Sequence, residues 1–206
     1  MWQERVAEFV TLLVVVNPFG VLPAFLAITS GPSAAAQRRI AIIAVVVSFL
    51  VLALFMVIGG FLLHKMGISL RAFQIGGGII LFLVALEMVR GESHETDAAG
   101  RKRSVAELAI YPIAIPKIAG PASMLAAVVL TDDHRFDVVQ LSMTMGVLVV
   151  VMAITLAMLL AAGPISRVIG ESGASVIGRV LGMILVALAV NTILNAFGDW
   201  LHLPPL

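Results

Sequence analysis

Two short stretches hold the residue types that can do chemistry in this chain, "NPFGVLPAF" at 17–25 and "IPKIAGPAS" at 115–123. Each sets prolines, a glycine and a polar side chain inside an apolar run. Proline lacks a backbone N–H, clashes with the preceding turn and biases the residue before it away from helix. Pro18 and Pro116 therefore predict breaks, and Pro23 and Pro121 suit the first turn of a new helix. The first stretch predicts a helix to about Val16, an irregular segment at 17–22 and a short helix from Pro23 to about Thr29. The second predicts a helix to about Ile115, a break at 116–120 and a new helix from Pro121. A broken helix offers N–H groups and a positive dipole end at one new terminus, which attract an anion. At the other it offers carbonyls, which attract a cation. Two such breaks facing one another would suit a zwitterion, for which an amino acid is the simplest candidate.

A single proline in a membrane helix is common and by itself reads as a kink. The repetition argues for more. Pro18 and Pro23 have counterparts in Pro116 and Pro121 at a common offset of 98, since 116 minus 18 and 121 minus 23 agree. "GGIILFLVALE" at 77–87 resembles "LGMILVALAVN" at 181–191, pairing Gly78 with Gly182 and Glu87 with Asn191 at an offset of 104. An odd number of spans per half inserts the second half upside down. Inverted repeats of this kind are a transporter architecture, with the site near the bilayer midplane.

The elements that must position these stretches follow from composition. The 206 residues are 61% hydrophobic and 12% charged, with a mean hydropathy of +1.11. Soluble domains carry about 45–50% apolar and about 25% charged residues, so most of this surface must face lipid. Six spans are expected, at about 8–29, 40–63, 70–89, 105–130, 138–162 and 175–198. The fold class is thus all-α, a polytopic membrane protein of two inverted three-helix repeats with broken first and fourth helices. Repeat one covers about 1–91, a cytoplasmic linker about 92–104, and repeat two about 105–206. The first apolar run exceeds the roughly 7–15 residues of a signal h-region, and it reads as a retained span. Gly31-Pro32 and Gly163-Pro164 are expected to stop the first and fifth helices. Eight Lys and Arg in the odd loops (Arg38, Arg39, Arg90, Arg101, Lys102, Arg103, Arg167, Arg179) stand against four elsewhere (Arg5, Lys65, Arg71, Arg135). That asymmetry places both termini outside the cytoplasm.

Other polar residues in the apolar runs have a bland and a functional reading. Glu87 is either an interfacial carboxylate near Arg90 or a proton or cation-coupling group. Asn191 and Asn195, a helical turn apart, either bond neighbouring helices or line a cavity. Thr29 and Ser123 lie just past the breaks and join the candidate site. Lys117 is costly at membrane depth, about 2.5–3.5 kcal/mol on insertion scales. It must reach a cavity, pair with a carboxylate or touch substrate. Gly76, Gly77 and Gly78 permit close helix packing. With no cysteine and histidines only in or near loops, no metal site is expected. No nucleophile set or carboxylate pair recurs within the spans, which disfavours an intramembrane enzyme. A formal net charge of +1 leaves no basic footprint for nucleic acid.

"NPFGVLPAFLAIT" and "AIPKIAGPASM" resemble the two signatures of the MarC family of integral membrane proteins, and the resemblance covers nearly the whole chain. The family includes the SnatA-type transporters of small neutral amino acids and is similar to the LysE-type exporters. The resemblance implies substrate contact at Asn17, Pro18, Gly20 and Pro23 in the first half and at Pro116, Gly120 and Pro121 in the second. Lys117 departs from the family pattern, where an apolar residue is expected in "AIPxxAGP". The implied function is secondary transport of glycine, alanine or serine across a prokaryotic inner membrane, by alternating access. No cofactor is required. Proton or sodium coupling and homo-oligomerisation are both compatible with it. The alternative is a non-transporting membrane scaffold or stress-related partner protein, which predicts a dry interface at the breaks.

Overall fold

The computed structural model describes residues 2–29, 33–90, 104–132 and 138–201. Most of the expected linker, with Gly31-Pro32, Asp133, His94, His134 and His202, lies outside the described residues. So does the side chain of Pro23. The described residues are almost all helical, with no strand among them. Five helices are long and apolar enough to cross a membrane, six spans if one bent pair counts as a single span.

α1 (Trp2–Val16) meets α2 (Pro18–Ile28) at one residue, Asn17. α3 (Ala34–Lys65) starts at Ser33, whose Oγ accepts the Ala36 N–H at 3.3 Å. α4 (Leu70–Arg90) follows a short turn. The second half opens with a capping box at α5 (Val105–Leu108): Ser104 accepts from the Glu107 N–H and Glu107 accepts from the Ser104 N–H. Residues Ala109–Ile118 follow as wide turns interrupted at Tyr111 and Ile115, and α6 (Pro121–Asp132) leaves them at a 57° bend. α7 (Val138–Leu160) and α8 (Ala162–Leu201) complete the chain.

Three boundaries differ from expectation. The first break is shorter: α2 begins at Pro18, not Pro23. Asn17 alone takes up the discontinuity in the left-handed region (φ 48, ψ 64), which Asn tolerates better than most side chains. The second break starts earlier than 116. Tyr111 and Ile115 are extended (φ −128, ψ 122 and φ −126, ψ 123), each directly before a proline that disfavours helix there. Gly163-Pro164 does not close the fifth span: α7 ends at Leu160, and the pair lies inside α8. The chain resumes as helix at once, because Pro164 sits in the first turn of α8, where its missing N–H has no intrahelical acceptor to disappoint.

The main core joins α1, α2, α3, the wide-turn segment, α6 and α7 through Leu12, Val16, Val21, Ile40, Leu52, Ile113, Ile118, Ala127 and Leu148. α4 and α8 form a second layer around Leu81, Ala85, Leu185 and Ala189. This pair is close because it is glycine-lined. A Cβ on Gly78 would sit 2.7 Å from Ile193 and 3.4 Å from the Ala189 carbonyl; one on Gly182 would sit 3.0 Å from Met88 and 3.1 Å from the Ala85 carbonyl. As the α4 number rises the facing α8 number falls, so the two run antiparallel. The outer faces of α3 and α7 present Leu50, Leu54, Val149 and Val150, as lipid-facing helices should.

Candidate functional site

The site is built from the two breaks. Pro18 has no N–H, so the Val14 carbonyl loses its donor four residues on. The chain recovers with Asn17 as cap. Its Oδ1 accepts the Gly20 N–H at 3.1 Å, and its backbone carbonyl accepts from Gly20 and Val21 at 3.0 and 3.3 Å. The carboxamide nitrogen rests 3.4 Å from the Met88 sulfur on α4. Gly20 is required for this: a Cβ there would lie 2.4 Å from the Asn17 amide nitrogen.

The second break is braced from neighbouring helices. The Ala114 carbonyl accepts the Ala119 N–H at 2.8 Å and the Ser48 hydroxyl of α3 at 3.3 Å. The Ser123 hydroxyl donates to the Ile118 carbonyl at 2.8 Å. Freed backbone groups are tolerable at membrane depth only when satisfied in this way. Gly120 lets the chain turn into α6, since a Cβ would fall 2.4 Å from the Pro116 carbonyl oxygen.

Between the breaks lies a cavity of about 130 Å³. Val15, Asn17, Gly20 and Val21 line it from the first half, and Pro116, Lys117, Gly120, Pro121, Ala122 and Ser123 from the second. α4 contributes Leu81, Val84, Glu87 and Met88, and α8 contributes Leu185. The structure thus brings Asn17, Gly20, Pro116, Lys117, Gly120, Pro121, Ser123 and Glu87 to one space. Residues of both charges are among its lining, Glu87 half-buried and Lys117 exposed. The N-terminus of α6 opens on it at Pro121, Ala122 and Ser123, with its positive dipole end.

Four candidates fall elsewhere. Pro18 is buried but is not among the lining residues. Thr29 is buried at the far end of α2, where its hydroxyl donates to the Phe25 carbonyl at 2.6 Å. Asn191 and Asn195 do not line the cavity; they lie on the exposed side of α8, because Leu185 and Ala189 take the packed side. Among the described residues, no three His, Asp or Glu converge to hold a metal ion.

One polar cluster is missing from the sequence reading. Glu8, a flanking charge by position, is 6% exposed. Its Oε2 accepts from Arg5 at 2.8 Å and from the Thr144 hydroxyl of α7 at 3.2 Å, while Arg5 also donates to Thr144 and Gln140. Arg5 and Glu8 at i, i+3 were the available signal. Their partners, more than 130 residues away, were not visible.

Known proteins place the chain. The profile described as "MarC family integral membrane protein" matches residues 2–201. A UPF0056 membrane protein of Aquifex aeolicus is 34% identical over 97% of both chains. One from Archaeoglobus fulgidus is 31% identical over 94% of this chain and 92% of its own. One from Bacillus subtilis is 32% identical over 94% and 93%. Those names give a membrane location and no substrate. No solved structure matches.

Proposed function

The chain belongs to the MarC family of integral membrane proteins, and from that premise we propose that it is a secondary transporter of small neutral amino acids. The observation that carries the reading is the meeting of two helix breaks around one small cavity holding both Glu87 and Lys117. A cavity of about 150 Å³ accepts benzene, so about 130 Å³ suits a ligand of roughly six non-hydrogen atoms, the size of alanine. The substrate carboxylate lodges at the α6 N-terminus beside Lys117. The ammonium lodges toward Glu87 and the carbonyl end of α1 near Val15. Asn17 holds the break in shape, since both ends of its carboxamide are engaged.

Alternating access is supported by reciprocal packing. Gly78 and Gly182 are 104 apart, as are Ala85 and Ala189, and Gly78 abuts Ala189 while Gly182 abuts Ala85. Such an exchange is what a two-fold axis between α4 and α8 produces. The wider packing follows suit: α3 lies on α6 and the wide-turn segment, α7 on α2 and α1. Two inverted halves that differ mainly at their breaks can rock about such an axis. The polar lining of the cavity, with Asn17 and Ser123 buried and Glu87 half-buried, also favours transport over a scaffold, which has no use for it.

The test is counterflow. Liposomes loaded with unlabelled alanine should accumulate labelled alanine or glycine. Glu87→Gln and Lys117→Met should each cut the rate at least tenfold with folded yield retained. No counterflow above protein-free liposomes, across a panel of small amino acids, overturns the proposal. Unchanged rates in both variants remove the charged pair from the site.

A further inference from the structure

α8 keeps two carboxamides on its outer side. Asn191 and Asn195 are exposed, and neither side chain bonds any described residue. Both lie at membrane depth. The apolar part of α8 runs Val176–Leu201. At about 1.5 Å per residue, Asn191 is about 4 Å and Asn195 about 10 Å from its midpoint, inside the roughly 15 Å half-thickness of the hydrocarbon. The α4 contact agrees, because Gly78, near mid-span in α4, abuts Ala189 and Ile193. Lipid tails can offer these amides no hydrogen bond.

The surrounding face has its own pattern. α8 packs on α4 through Gly182, Leu185 and Ala189. On the opposite side Val180, Ile184, Ala187, Asn191, Leu194 and Gly198 follow one another at steps of four and three, a 3.5-residue period. The first five are exposed, and a Cβ added at Gly198 would meet nothing within 4 Å. This is the spacing of a two-stranded coiled-coil seam, with an asparagine at one core position.

We propose that this face of α8 pairs with the same face of a second copy of the chain, as a parallel two-fold dimer. Two copies inserted in one membrane share an orientation, so their α8 helices run parallel and like residues meet across the axis. A carboxamide both donates and accepts, so Asn191 is complementary to itself. Ala187 and Gly198 allow the backbones to approach, as small residues do in membrane interfaces. Asn195 flanks the seam and reaches across it. A core asparagine also sets register and favours two strands. Hydrocarbon fits none of these features. Such pairing does not depend on transport.

The chain has no cysteine, so single cysteines are unambiguous. In the full-length protein, diluted in lipid vesicles and oxidised with copper phenanthroline, A187C and L194C should form disulfide-linked dimers. L50C on α3 and V149C on α7, 60% and 49% exposed in the native residues, should not. Equal cross-linking at all four positions marks collision and overturns the proposal. Cross-linking of A187C and L194C only to a different protein in native membranes overturns it as well. Subunit counting across protein-to-lipid ratios gives the second readout. N191L should raise the dimer dissociation constant about tenfold, with unchanged helical circular dichroism, and N191Q should restore association. A wild-type monomer at every ratio, or N191L dimers as stable as wild type, overturns the proposal.

Discussion

Gly120→Ala adds one methyl group at the tightest point of the second break. The new Cβ would sit 2.4 Å from the Pro116 carbonyl oxygen, where ordinary contacts begin at 3.4 Å, so about 1.0 Å must be recovered. The obstacle is backbone, so no side-chain rotation relieves it. Pro116 or the first turn of α6 must move. Overpacking of this kind costs about 1–3 kcal/mol. Gly146→Ala, in mid-α7 with nothing within 4 Å of its Cβ, is the matched control. There the same methyl group should stabilise by about 0.5–1 kcal/mol through helix propensity. The two variants should therefore differ by about 1.5–4 kcal/mol. At about 2–4 °C per kcal/mol for a chain of this length, melting temperatures followed by circular dichroism should separate by roughly 3–16 °C. Counterflow in Gly120→Ala should fall further than stability accounts for, because the displaced groups line the cavity. Equal melting of the two variants would refute the claim that Gly120 is there for the close approach.

Other perturbations follow from the same geometry. Asn17→Ala loses the cap on the Gly20 N–H and puts a Cβ-bearing residue without a polar end at φ 48. It should cost about 1.5–3 kcal/mol, and Asn17→Gly less, because glycine accepts the left-handed region; urea unfolding in mixed micelles should rank wild type, Gly and Ala in that order. Glu8→Ala leaves the partly buried Arg5 charge without its carboxylate, with only the neutral Thr144 and Gln140 to accept from it. A loss near 3 kcal/mol is expected. The double variant Arg5→Met with Glu8→Leu should recover most of it, and a double variant no better than the single one would count against the ion pair as the cause.

Much of this architecture is legible in the residues. Pro18 and Pro116 mark both interruptions, and Pro121 opens a helix at the expected place. The lengths of the breaks were harder. A left-handed Asn17 closes the first in one residue, because its side chain supplies the cap that a longer loop would otherwise need. The second is longer because Pro112, like Pro116, forces the residue before it out of helix, here Tyr111. Glu87 and Asn191 look alike by repeat position. They part in the structure, where the first half's Val15, Asn17, Gly20 and Val21 meet Glu87 at the cavity while Asn191 faces outward.

The sequence alone determined that the chain is a helical membrane protein with paired breaks. That information is local: hydropathy over some 20 residues, the missing proline N–H and the repeated spacing are properties of neighbours along the chain. Tertiary structure decided which polar groups meet. Lys117 and Glu87 come from different halves, and Glu8 finds Thr144 across 136 positions. No periodicity encodes such pairings, because they depend on how helices cross. Here that crossing is set by the places where Gly78, Gly182 and Gly59 let one backbone approach another helix closely.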